Sequence, residues 1–201
     1  MSAVKAEEMW MQRATELVAR VYDEFLAQVV ERHVLEDRLG PLSAKHKEAI
    51  DQGKLIDIRV PRLMAISGKG GWHEDPEKRQ GYFKFLNITS LDHFLSVVRG
   101  AMLLYALDCL ERPPDMDEAR LKKRLVVIAV LAFLHDIDKI LELDRGRELR
   151  LEDIEAVLQR YGIPAFLEHA GIEPLTADQI RYLIENVEIT EAGRHFPKVL
   201  P

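Results

Sequence analysis

The sequence predicts a mostly α-helical bundle, and three stretches carry that expectation. The first is LVVIAVLAFLHDIDKILEL, residues 125–143, where ten apolar residues run straight into His135-Asp136 and Lys139 follows one helical turn later. Its β-branched members (Val126, Val127, Ile128, Val130) would also suit a strand. Its length, and the absence of Gly or Pro between it and flanking helical sequence, favour a helix. It is too short to cross a membrane. The second stretch is near the N-terminus: Leu17, Val21, Phe25 and Val29 recur at four-residue spacing, with Val18, Tyr22, Leu26 and Val30 as a second stripe beside them. The third is Phe94, Val97, Val98, Ala101, Met102 and Tyr105, which fall on one face of a helix.

Bulk properties narrow the function classes. With 201 residues the chain reads as a single domain, 1–201. A composition 47% hydrophobic and 31% charged is that of a soluble globular protein with a real core. Cys109 is the sole cysteine, which excludes an internal disulfide framework and a cysteine-based zinc site. The N-terminal MSAVKAEEMW has acidic residues and no apolar core of a signal peptide, so a cytoplasmic setting is expected. The net charge of −6 argues against a uniformly basic nucleic-acid binder but leaves room for a local basic patch or a metal that meets phosphate.

In chain order, residues 1–52 read as an N-terminal helical extension, 53–89 as an irregular segment and 90–190 as the core. Residues 5–37 form one long helix or two short ones, stopped by Gly40-Pro41. Their wide apolar face is expected to pack on a helix of the same domain rather than on a second copy. Residues 42–52 are a short polar helix. LIDIRV, from Leu55, is a candidate short strand, so the 54–90 region is an irregular loop or a short hairpin. SGKGG at 67–71 resembles a phosphate loop but lacks the upstream Gly and the Ser/Thr after Lys69. It reads as a flexible loop. Helix resumes near Ser90 and ends near Glu111, before Pro113-Pro114. The central helix covers 115–143. Ile154, Val157, Leu158 and Tyr161 make an amphipathic helix closed by Gly162, and Pro164 starts the next, stopped by Gly171. Thr176 and Gln179 form a capping box for a last helix. The tail HFPKVLP carries no closing element, as expected of a domain cut from a longer chain.

The chemistry gathers at three residues. His93 sits near the start of one predicted helix, and His135-Asp136 toward the end of the next. A two-helix antiparallel hairpin brings such a start and end together. Two imidazoles and a carboxylate suit a borderline or hard divalent metal. A buried His-Asp pair is costly without such compensation. Lys139, one turn beyond His135, is placed to meet a phosphate oxygen or to steady Asp136.

His93, followed on the next helix by HD at 135–136 and a lysine three residues on, resembles the HD superfamily of metal-dependent phosphohydrolases. LHDIDK is close to that family's usual LHDIGK, with Asp138 where a glycine commonly stands. The resemblance covers about residues 88–190 and implies an HD-domain-like helical bundle. It implies metal ligands at His93, His135 and Asp136, with a later His and Asp completing the set. His169 is the best placed later histidine and Asp178 the best placed aspartate, although Asp178 reads equally well as an acid at a helix start. Glu185 and His195 are further candidates. The implied cofactor is a divalent ion: Mn, Ni, Co, Fe or Mg. The catalytic residues implied are His135, Asp136 and Lys139. More narrowly, LDHFLSVVRGAMLLYALD followed by AFLHDIDKILEL is similar to the N-terminal HD nuclease domain of the large subunit of CRISPR type I-D interference complexes. That resemblance implies single-stranded DNA as substrate. It also implies, as partners, other subunits of a CRISPR ribonucleoprotein complex and a helicase, with no membrane.

Two other function classes stand beside the nuclease: an HD phosphohydrolase acting on small nucleotides (a nucleotidase or cyclic-nucleotide phosphodiesterase), and a catalytically silent HD scaffold. A nucleotidase is expected to have an enclosed pocket, a nuclease an open groove beside His135, and a scaffold no metal. Blander roles attach to single residues. His33, His46 and His73 are expected at the surface, and His195 in the tail. His169 is as readily a cap of its short helix. Lys122, Lys123 and Arg124, with Arg145, Arg147 and Arg150, flank the central helix. They read slightly better as a solvated face than as a track for a DNA backbone, whose binding would weaken steeply with salt.

Overall fold

The computed structural model describes residues 3–41, 44–51, 55, 59–68, 88–111, 117–136, 151–176 and 179. The expected all-α bundle is present. Its elements are α1 (Ala3–Phe25), a π-helical segment (Leu26–Val34), α2 (Ala44–Asp51), α3 (Arg62–Ala65), α4 (Ser90–Glu111), α5 (Glu118–Leu134), α6 (Leu151–Arg160) and α7 (Ile163–His169). No helix among the described residues is long and apolar enough to cross a membrane.

The N-terminal helix is continuous in direction but changes its winding. Leu17, Val21, Phe25, Val29 and Val34 are all buried. In an α-helix a four-residue repeat slews about 40° round the axis at each step. The wider π turn, with Leu35 N–H reaching Val30 O at 2.9 Å, lets residues four and five apart keep one heading. The apolar stripe thus stays on the core as far as Val34. Its partners are α4 and α5, so the wide face is covered within the domain, as expected.

α4 and α5 are an antiparallel hairpin, joined at one end by His93–His135 and further along by Arg124–Tyr105. α1 runs parallel to α5: Arg20 pairs with Glu118, and Glu24 pairs with Lys122 one turn on. Surface pairs of this kind contribute little; the aromatic core contributes more. Phe133 is its hub, with edge contacts to Phe25, Phe94 and Tyr161 at centroid distances of 5.4, 5.6 and 5.9 Å. Pairs of this geometry add about 0.5–1.5 kcal/mol each beyond area burial. Phe133 lies two residues before His135, so the core rigidifies the end of α5 that carries the candidate site.

Two expectations need correcting, and a third falls partly outside the described residues. The central helix is not continuous from Glu118 through 136: α5 stops at Leu134, His135 is its C-cap and Asp136 lies in the turn. The physical reason is local, since the His135 ring occupies the carbonyl of Ala132, a helix-end acceptor. Residues 137–150 lie outside the described residues. Residues 56–58 of the candidate strand from Leu55 lie outside the described residues; Leu55 itself forms an isolated antiparallel bridge with Ile66, and no strand is present among the described residues. His46, expected at the surface, is buried, because it shares the inward face of α2 with Ala49. His33 is half-buried, against Gly162.

A charge network no local pattern announced fixes the exit of the π-helical segment. Asp37 Oδ2 accepts a hydrogen bond from the Tyr161 hydroxyl at 3.0 Å. Arg62 Nε lies 3.1 Å from the same oxygen, an ion pair without hydrogen-bond alignment, and Arg160 lies 3.8 Å away. Burial first, and the Asp37 charge second, push the Tyr161 hydroxyl far above the usual tyrosine range. The fold therefore keeps a proton that the unfolded chain releases above about pH 10. Stability from the neutral hydroxyl is intact below that pH and is lost as pH rises further, by up to about 1.4 kcal/mol per pH unit. Urea unfolding is expected to show Tyr161→Phe less stable than the parent at pH 7, yet losing less between pH 10 and 11. Equal losses over that interval would contradict the assignment.

Candidate metal centre

His93 is set by the first turn of α4. Thr89 is the cap: its Oγ1 accepts from Asp92 N–H at 3.1 Å, while Thr89 N–H donates back to Asp92 Oδ2 at 3.2 Å. This reciprocal box satisfies helix-start donors. The Thr89 carbonyl then accepts from His93 N–H at 3.0 Å. The same turn is held from outside. Gly68 N–H donates to Ile88 O and Ser90 N–H to Ile66 O, each at 2.8 Å. The buried Ser90 hydroxyl donates to Ser67 O at 3.3 Å.

At the other end of the hairpin, α5 starts under an Asp117 cap and delivers His135 and Asp136. His135 Nδ1 lies 2.7 Å from Ala132 O. A carbonyl only accepts, so Nδ1 carries the proton, and in the neutral ring Nε2 is left as a lone pair. Metal-bound histidines are typically oriented in this way, through the nitrogen that does not bind.

The three donors converge. His93 Nε2 and Asp136 Oδ2 are 3.2 Å apart, His135 Nε2 and Asp136 Oδ2 3.3 Å, and the two Nε2 atoms 3.2 Å. An ion with bonds of about 2.1 Å, meeting at angles between octahedral and tetrahedral, separates its ligand atoms by roughly 3.0–3.4 Å. The triangle has that size on all three edges, and its two nitrogens and one oxygen suit a borderline divalent ion. Asp136 is buried, while the imidazoles are 17% and 23% exposed, so the donors can be reached from solvent. Phe94 and the two rings pack against one another, with Phe94–His135 at 5.5 Å and His93–His135 at 5.1 Å. The rings are thereby held on the core side.

Among the described residues, the group whose ligand atoms meet is His93, His135 and Asp136. His169 is exposed in the last turn of α7 and is not one of them. Lys139 and Asp178, with Asp138, Glu185 and His195, lie outside the described residues. The basic run before the apolar stretch is occupied within the fold. Lys122 bonds Glu24 at 2.8 Å, Lys123 bonds Gly171 O at 2.9 Å and Arg124 bonds the Tyr105 hydroxyl at 2.9 Å. These contacts fasten α5 to its neighbours. Arg145, Arg147 and Arg150 lie outside the described residues.

Sequence reading passed over three contributors to this site, Thr89, Asp92 and Gly68. Thr89 and Asp92 fit the Ser/Thr-x-x-acid signature of a capping box, so a local signal existed. Gly68, read as part of a flexible loop at 67–71, is instead buried and donates to Ile88 O, because its close approach to α4 is tertiary; residues 69–71 lie outside the described residues. Compared with family models, with curated proteins and with solved structures, the chain matches none.

Proposed function

We propose that this chain is a divalent-metal-dependent phosphodiesterase of the HD type, cleaving single-stranded DNA in CRISPR antiviral interference. One observation carries the metal part of the reading: the equal-sided convergence of His93 Nε2, His135 Nε2 and Asp136 Oδ2. The nuclease part, and the ribonucleoprotein subunits and helicase as partners, are supported by the resemblance of residues 91–108 and 132–143 described above.

In this reading His93, His135 and Asp136 hold the ion. Mn, Ni, Co, Fe and Mg all accept such donors. When bound, the ion supplies acidified water and a counter-charge for phosphate. The chain's own groups do the rest. Ala132 O fixes the His135 tautomer, so that Nε2 presents a lone pair. Asp136 contributes the negative charge that makes the site select a cation. Phe94, packed behind both rings, keeps them from turning away. Lys139 is assigned to a phosphate oxygen.

The test is a cleavage assay with the purified chain across Mn, Ni, Co, Mg and EDTA. Its substrates are single-stranded DNA of several lengths, nucleoside monophosphates and cyclic nucleotides. Metal-dependent cleavage of single-stranded DNA, abolished by EDTA, is the expected result. Turnover confined to small nucleotides would replace the nuclease by a nucleotidase. No turnover and no bound metal at saturating Mn would leave a helical scaffold.

A further inference from the structure

Gly68 is the buried residue whose missing side chain bears most directly on the candidate site. A Cβ built there would lie 2.5 Å from the Thr89 carbonyl oxygen, 2.9 Å from its carbon and 2.9 Å from His93 Cβ. Backbone conformation is not what requires glycine here, since the positive-φ glycines among the described residues are Gly162 and Gly171. Nor is crowding general: a Cβ at Gly40 or Gly100 would meet nothing within 4 Å. The demand at 68 is for closeness to the turn that carries His93.

We infer that Gly68 is a positioning residue for His93: by lacking a side chain it lets the 66–68 segment close on the first turn of α4 and hold the imidazole where the other two donors meet it. The inference rests on the metal reading above and deepens it. The obstructing atoms are backbone and a Cβ, not the far end of a flexible side chain. Ordinary contact begins at 3.4 Å, so a methyl at 68 drives the Thr89 carbonyl back by about 0.9 Å. That carbonyl accepts the His93 N–H, so the displacement passes to His93 itself. Metal–ligand distances tolerate only about 0.2 Å. The hydrogen bonds from Gly68 and Ser90 across the two segments prevent the strain from being relieved by simple separation.

The experiment is titration of the whole chain with Mn2+ alone, followed by calorimetry well below the unfolding temperature. It compares the parent, Gly68→Ala and Gly162→Ala. Gly162 has φ +65 and meets the His33 ring, so alanine there strains the fold without touching His93. Gly68→Ala is expected to weaken Mn2+ binding by roughly 10–100-fold, as loss of outer-shell support does. Gly162→Ala is expected to bind as the parent does while melting earlier. Equal affinity in Gly68→Ala and parent overturns the inference, and so does equal weakening in both glycine variants, which would mark a general loss of stability. If Gly68→Ala does not fold, Ser90→Ala decides: removing its bond to Ser67 O loosens the same clamp and is expected to weaken binding several-fold, and an unchanged affinity refutes it. A parent that binds no Mn2+ fails differently, since it removes the metal reading itself and this inference with it.

Discussion

His135→Ala and Asp136→Ala are each expected to lose metal-dependent cleavage of single-stranded DNA by at least about 100-fold, while retaining the helical fold. The factor is a lower bound taken from outer-shell changes, which already cost metal affinity 10–100-fold; these two residues are proposed to touch the ion. Retention of fold follows from where they sit. Both lie past the last residue of α5, in the cap and turn, and the His135 ring touches the aromatic core only at its edge, against Phe94. The structural cost of His135→Ala is the Ala132 carbonyl left without its ring partner, about 1 kcal/mol. Asp136→Ala removes a buried carboxylate set against two imidazoles, which relieves a desolvation cost as well as losing contacts. Circular dichroism and a melting curve check the fold, and the cleavage assay checks the site. A double variant that cleaves as well as the parent would show that the chemistry lies elsewhere.

Asp37→Ala is expected to cost far more stability than a surface charge change, about 3–5 kcal/mol. For a domain of this size that lowers the melting temperature by roughly 10 °C. Tyr161, Arg62 and Arg160 all turn to one Asp37 oxygen, and the Arg62 side chain is only 9% exposed. Removing the carboxylate takes the Asp37 counter-charge from a buried guanidinium and leaves the Tyr161 hydroxyl without its acceptor. The network also joins parts distant in sequence: the end of the π-helical segment, α3, and the α6–α7 junction. Asp37→Asn keeps an acceptor for Tyr161 while removing the charge, so an intermediate loss is expected. A loss under about 1 kcal/mol for Asp37→Ala, the range of exposed pairs, would contradict this account. Urea unfolding of the three proteins at pH 7 measures it.

The parts of this fold legible in sequence are those where burial follows a helical period. The stripe from Leu17 to Val29, the span Ser90–Glu111, and the stops at Gly162 and Gly171 all follow from periodicity or from a residue's own backbone preference. The Thr176–Gln179 capping box is formed as its spacing predicts, with Thr176 N–H to Gln179 Oε1 at 2.8 Å and Gln179 N–H to Thr176 Oγ1 at 3.2 Å. The meeting of His93 with His135-Asp136 was legible too, because an antiparallel hairpin leaves little choice about which ends meet. What escaped is set by tertiary contact. Nothing local tells that Asp37 and Arg62 are buried together, or that Gly68 lies against His93. The end of α5 differs for a related reason: apolar residues recur at helical spacing past Leu134, at Ile137, Ile140 and Leu141, and the side-chain bond from His135 to Ala132 O accompanies the break. The π turn escaped because a four-residue repeat reads as an α-helix until its drift is counted.

The most direct test of the central claim is X-ray absorption spectroscopy of the chain loaded with one equivalent of Mn2+ or Ni2+. The account predicts a single ion whose nearest shell contains two imidazole nitrogens near 2.1 Å, reduced to one in His93→Ala. A spectrum of oxygen ligands alone, unchanged by that substitution, would contradict it.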